Sequence, residues 1–209
     1  ESCYIDYHPS FGASPFGKVI CISVNDAVLH GLPNDYVLQD GDLVSLDFAA
    51  SVNGWVSDSA LSIVVGTPRD EDLKLIELTE VALAAGIAAA TVGNKIGDIS
   101  AAIGDAAHAA RLKVNTDFGG HGVGRVMHGD PHIPNDGRPN SGLPLRAGLV
   151  FAIGHWFLLG QGKHSTEDDG RKVRVRDGLR RGERGSTDAH PPDGPQRRSS
   201  SIQPNGSTA

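Results

Sequence analysis

The stretch from Leu43 to Val65 constrains the fold more than any other. "LVSLDFAAS" and "WVSDSALSIVV" have strand composition and flank Val52-Asn53-Gly54. Asn-Gly between two such runs is the strongest short-range signal for a two-residue hairpin. With Asn53 and Gly54 as the loop, Asp47 pairs with Ala60 and Asp58 with Ala49. Asp47 and Asp58 then lie on one face as diagonal neighbours, their Cβ atoms about 7 Å apart or somewhat less. Two carboxylates so placed can converge on one or two metal ions. Their sequence neighbours are apolar: Leu46 and Phe48 beside the first, Val56 and Ala60 near the second. Carboxylates on a core-like face need a partner, and a cation is one. Two acids on a solvated hairpin face is the alternative that the hairpin leaves open.

Downstream, Thr67-Pro68 ends the hairpin. A helix is predicted from about Asp70, with Leu73, Ile76, Leu83 and Ile87 on one side and Gly93 as a stop. A second is predicted from Asp98, as its cap, to Arg111, with Ile99, Ile103 and Ala106 inward. A short strand around Leu112–Phe118 leads into a glycine-rich loop, "GGHGVGRVMHGDPHIPN", which carries His121 and His128. Imidazole is a common ligand for divalent metals. A phosphate loop carries little weight here, because no helix start follows the glycines. His30 lies in a His-Gly-Leu-Pro turn and says little alone. His8, His108, His132, His164 and His190 read as surface residues. The apolar run Leu149–Ile153 reads as a buried strand that ends in Gly154-His155. This order of elements is α+β.

The chain has 209 residues, enough for one sizeable core. No run is long and apolar enough to span a membrane, and the start does not read as a signal peptide. Two cysteines, Cys3 and Cys21, suit a reduced, cytoplasmic setting better than a disulfide framework. Charge divides the chain: residues 1–159 hold 9 basic and 18 acidic side chains, residues 160–209 hold 10 and 7. The second segment is rich in Gly, Pro, Ser and Arg and poor in apolar residues, so it reads as a disordered tail. It has no aromatic residue to stack on bases, so no nucleic-acid site is expected.

The run "CISVNDAVLHGLPNDYVLQDGDLVSLDFAASVNGWVSDSA", followed by "GGHGVGRVMHGDPHIPN", resembles the type I methionine aminopeptidases, over about Gly12 to Leu159. Four motifs in order carry the resemblance. It implies a pita-bread fold, with two pseudo-symmetric halves around a curved antiparallel sheet. It implies removal of the N-terminal Met from nascent polypeptides by a water activated between two divalent ions of the Co, Mn, Fe, Zn or Mg class. It implies a cytoplasmic monomer, with the ribosome as a possible neighbour. Asp47, Asp58 and His121 match the family's metal ligands. His30 and His128 match the histidines that contact substrate and stabilise the transition state. Cys21 and Met127 fall where the Met side chain is held.

Two expected ligands are missing. Where the family reads Phe-x-Ile-Glu-Pro, this chain reads Phe151-Ala152-Ile153-Gly154-His155, so Gly154 occupies the place of a glutamate. His155 is a poor substitute, because successive strand side chains face opposite ways. A second glutamate belongs in a Glu-His-Thr strand further on, and the text past Gly178 resembles nothing in the family. The loss of apolar periodicity there suggests a reading-frame shift near codon 178. The chain reads as incomplete at both ends, with residues 1–159 as a truncated catalytic domain and 160–209 as the tail. From this follow weak or single-site metal binding and impaired activity. A non-catalytic peptide- or partner-binding module on the same fold is the alternative.

Overall fold

Strand β1 spans Cys21–Val24, β2 Ala27–Leu29, β3 Leu43–Val52 and β4 Trp55–Val64. Helix α1 spans Asp70–Ala89 and α2 Ile96–Ala109. Then come β5 (Lys113–Val114), β6 (Gly119–Gly122), β7 (Gly129–Pro134) and β8 (Val150–Leu158), and after them β9 (His164–Thr166), β10 (Val173–Val175) and β11 (Arg181–Ala189). These elements come from a computed structural model that describes residues 1–8, 15–158, 164–166, 173–175 and 181–189.

The β3–β4 hairpin forms in the register its turn dictates. Asn53 and Gly54 both take positive φ, 52° and 75°, as a two-residue turn matched to strand twist requires. Asp47 lies opposite Ala60 and Asp58 opposite Ala49. The larger sheet runs β1-β3-β4-β11-β8-β6-β7, with β5 also on β8, and a smaller one runs β2-β10-β9. Its pairings are antiparallel.

Three expectations need correction. The glycine-rich "loop" is a hairpin, β6 on β7. Its glycines let backbones close up: a Cβ on Gly120 would overlap the Ala152 carbonyl of β8. Second, the strand with Gly154 does not end there; β8 continues to Leu158, because ladder hydrogen bonds need no side chain. Third, within the segment expected as a disordered tail, the described residues form strands β9, β10 and β11. β11 lies between β4 and β8, pairing Gly185 with Ala60 on one side and Gly154 on the other. Backbone pairing fills this gap although the segment lacks an apolar pattern. The rest of the tail lies outside the described residues.

The helices cover one face of the sheet. Phe151, Ile153 and Phe157 of β8 join Leu75, Leu83, Ile99 and Ile103 in the main core. His155 is fully buried on that side, and its Nε2 donates to the Thr79 carbonyl of α1 at 2.7 Å. Odd-numbered positions of β8 therefore face the helices, and 152 and 154 face away. The buried face of α1 is Leu75, Thr79, Ala82, Leu83 and Gly86. Leu73, expected inward, is 48% exposed. In α2, Ile99 and Ile103 are buried as expected. Asp98 is not the cap but sits inside the first turn, where its carboxylate reaches back to the Lys95 N–H at 2.7 Å.

Candidate metal centre

The face of the sheet away from the helices gathers the acids and histidines. Cys21 lies opposite Asp47, and Asp47 opposite Ala60. Ala60 lies opposite Gly185, and Gly185 opposite Gly154. Two residues along β8, Ala152 lies opposite His121. Residues directly opposite share a face, so Cys21, Asp47, Asp58, His121 and Gly154 all belong to this one. Two strands, β11 and β8, separate Asp58 on β4 from His121 on β6. A flat sheet would hold those backbones about 14 Å apart. Yet Asp58 Oδ2 and His121 Nε2 are 3.2 Å apart, so the sheet curves and this face is concave.

His121 is aimed by its backbone neighbour. Its Nδ1 lies 3.1 Å from the Gly122 carbonyl and donates to it, which leaves Nε2 pointing at Asp58. Burial pulls the His121 pKa down, but the Asp58 hydrogen bond, the Gly122 carbonyl and the charges of Asp58 and Asp47 outweigh that and raise it. Asp47 is pushed up to about 7, first by burial and then by the charge of Asp58. Its Oδ1 accepts a hydrogen bond from Tyr4 Oη at 2.8 Å.

His128 meets His121 edge to face, with ring centroids 4.5 Å apart, and Tyr7 stands edge-on to it at 5.2 Å. Burial, then the His121 charge, lowers the His128 pKa to about 4, so it is a neutral imidazole near pH 7. His30 follows β2 with φ at +56° and rests edge-on against Phe118, at 5.6 Å. Gly31 makes that placement possible: a Cβ there would overlap the Ile22 carbonyl of β1. Cys21 and Met127 meet in one apolar cluster with Tyr4, Phe16 and Ala49.

Asp47, Asp58, His121 and Cys21 thus share one concave face, with His128 against His121 and Met127 against the Cys21 cluster, while His30 is placed only against Phe118. Tyr4 and Tyr7 were missed; aromatic residues shortly before Cys21 were the available signal. Gly185 was missed too, because only the pairing of β11 brings it opposite Gly154.

Among the described residues, no three Asp, Glu, His or Cys side chains stand close enough to cage a cation as they are. The donor chemistry still fits a divalent ion. A nitrogen and an oxygen donor sit 3.2 Å apart, and on the same face stands a second carboxylate, Asp47, whose pKa burial and the charge of Asp58 raise. Asp47, Asp58 and His121 are the residues that would hold it.

The face that carries these donors is concave and backed by two helices. The profile of metallopeptidase family M24 matches residues 4–179, and the chain belongs to that family. Within it, the chain is similar to the methionine aminopeptidase of Clostridium perfringens, 43% identical over 90% of this chain and 76% of the relative. Solved methionine aminopeptidases superpose on it. That of Thermotoga maritima does so with a TM-score of 0.84 at 32% identity, over 91% of this chain and 76% of that one. That of Rickettsia prowazekii does so with a TM-score of 0.83 at 35% identity, over 87% and 73%. The fold is therefore α+β of the pita-bread type, and the chain's family is one of hydrolases, the metalloaminopeptidases.

Proposed function

We propose that the chain binds the N-terminal Met of nascent polypeptides at the concave face, as a methionine aminopeptidase with an incomplete metal centre. The observation that carries this is the convergence of Asp58 and His121 at 3.2 Å across two intervening strands, with Asp47 on the same face. Asp47, Asp58 and His121 hold one divalent ion weakly. A bound ion of this kind lowers the pKa of water and polarises a carbonyl. Cys21 and Met127 line the slot for the Met side chain. His30 and His128 donate hydrogen bonds to the scissile carbonyl oxygen as charge develops on it. His128, neutral through burial, has a proton on only one ring nitrogen and so one donor to offer. Position 154 offers no carboxylate, and neither does 185, so turnover is impaired. The setting is cytoplasmic and the chain acts as a monomer; among the described residues, no helix is long and apolar enough to cross a membrane.

One observation favours a second reading, a peptide-binding module without turnover. β11 closes the sheet between β4 and β8, so the fold does not depend on an intact metal centre. Titrating the protein with Mn²⁺ and with a Met-Ala peptide separates the two. One weak Mn²⁺ site that enhances peptide binding supports the impaired aminopeptidase. Peptide binding indifferent to Mn²⁺ supports the module, and two tight Mn²⁺ sites refute both.

We further read the text after Gly178 as out of frame. The family profile ends at residue 179, which supports this, whereas the Clostridium perfringens relative aligns over 90% of the chain and so past that residue, which counts against it. If neither alternative frame of the gene encodes a Glu-His-Thr-like strand, the reading is wrong.

A further inference from the structure

We propose that Arg125, gripped by the tip of the β3–β4 hairpin, is a positioning residue that holds the arm bearing Met127 and His128 over the candidate site. The inference rests on the peptide-binding reading given under Proposed function.

The arm comprises residues 123–128 and joins β6 to β7. Its end reaches the site: His128 stands edge to face against His121, and Met127 packs against the cluster of Tyr4, Phe16, Cys21 and Ala49. Its outer turn has little core to hold it, since Arg125 and Val126 are both exposed. Surface connections of this kind move unless something ties them down. The Val123 N–H donates to the Val150 carbonyl of β8 at 3.2 Å, which secures the start of the arm. The next ties run to the hairpin tip.

Three contacts make the grip. The Val56 N–H donates to the Gly124 carbonyl at 2.8 Å. Arg125 Nη1 donates to the Asn53 carbonyl at 2.9 Å, and the guanidinium carbon lies 4.0 Å from the centroid of the Trp55 ring. Gly54 leaves room for it: a Cβ there would stand 3.0 Å from Nη1. A planar cation with donors in its own plane can lie on a ring face and reach a carbonyl at its edge at once. Arg125 does both.

The grip also joins two parts of the site. β3 and β4 pair without a break from Val52 and Trp55 at the turn to Leu43 and Val64 at the far end. The strut that holds Arg125 is therefore the one that carries Asp47 and Asp58, and Trp55 is three residues from Asp58. On the other side, Met127 and His128 follow Arg125 by two and three residues. With the grip released, a Met-bearing peptide has to order the arm itself. Its apparent affinity then falls with the fraction of time the arm is in place.

The test uses the full chain with Arg125→Ala and Trp55→Leu, singly and together, each checked for a cooperative melt. Both sites are exposed, Trp55 by 57%, so folding should survive. Without metal, the nuclear Overhauser contact between the His121 and His128 rings reads the position of the arm; a general loss of stability does not remove it from a chain that is still folded. With Mn²⁺ present, calorimetry reads the binding of a Met-Ala peptide. Arg125→Ala is expected to abolish the ring contact and to weaken the peptide about tenfold, the lower end for one hydrogen bond from a charged donor. Trp55→Leu is expected to weaken it about threefold, as loss of an exposed cation–π contact does. The double variant should lose no more than Arg125→Ala alone. A ring contact that persists in Arg125→Ala overturns the grip, and additive losses overturn the stacked pair as its basis. A lost ring contact with unchanged peptide affinity overturns the role in binding. If the unaltered chain binds no Met-Ala peptide, the reading under Proposed function fails, while the ring contact still decides whether Arg125 positions the arm.

Discussion

β3, β4 and β6 form one part of the concave face, and β8 and β11 form another, in a single continuous register. The first part carries Asp47, Asp58 and His121, and their side chains reach toward one another. The second carries Gly154 and Gly185, directly opposite each other, and neither has a side chain to reach a ligand. Yet β8 and β11 pair along nine residues each, as regularly as the hairpin does. The difference shows that fold and chemistry draw on different parts of the same residues. Backbone groups set the register, while a few side chains decide what the face can bind.

The sharpest way to break this comparison is to furnish the bare part. Gly154→Glu together with Gly185→Glu is expected to tighten Mn²⁺ about 10⁴-fold, the product of two effects each near the upper end of the 10–100-fold range for ligand-shell changes. Cleavage of a Met-Ala peptide should appear with it. Gly154→Glu alone should give no turnover; turnover by the single variant would show that one added carboxylate suffices.

The opposite face of the same strand should respond in stability instead. Phe151→Ala is expected to cost about 3–5 kcal/mol, read as a lower urea midpoint, because Phe151 is fully buried under the helices. Gly154→Ala, one step from the core residue Ile153, should cost nothing and can gain about 0.5–1 kcal/mol in strand propensity.

Acid should expose a third contrast. Burial holds the His155 pKa at about 4, below its ordinary 6.5. The unfolded chain takes up the proton first, so this stability is complete above pH 6.5 and lost as pH falls toward 4. The loss is about 3 kcal/mol. His155→Leu should flatten that acid limb in thermal melts; an unchanged limb would mean that other groups govern it. Asp47 runs the other way. Its raised pKa favours the metal-free fold at low pH and withdraws that help as pH rises toward 7.

The smallest effect should come from Tyr4→Phe. The phenol stabilises ionised Asp47, so its loss is expected to weaken Mn²⁺ binding at pH 6 by about fivefold, the worth of one hydrogen bond of about 1 kcal/mol. Tighter binding in the variant would mean that Tyr4 competes with the ion for Asp47.

Asn53-Gly54 made the hairpin and the shared face of Asp47 and Asp58 legible, because local turn chemistry determines both. His121 was legible as a ligand candidate but not as a strand residue, since glycines that permit close backbone packing look the same in sequence as glycines in a loop. Leu73 was misplaced on α1, where a one-position drift of the apolar stripe moved the buried face to Leu75 and Thr79. β11 was not legible: its place is set by hydrogen bonds to β4 and β8, partners more than twenty residues away in sequence, and not by apolar periodicity.

The two-sidedness of β8 also matters for the survival of such a chain in a cell. Proteases and chaperones act on unfolded or loosened molecules. They sense Phe151, Ile153 and His155 if these become exposed, but a glycine at 154 disturbs none of them. A change at 154 on the open face therefore leaves the buried face of β8, which such surveillance reads, as it was.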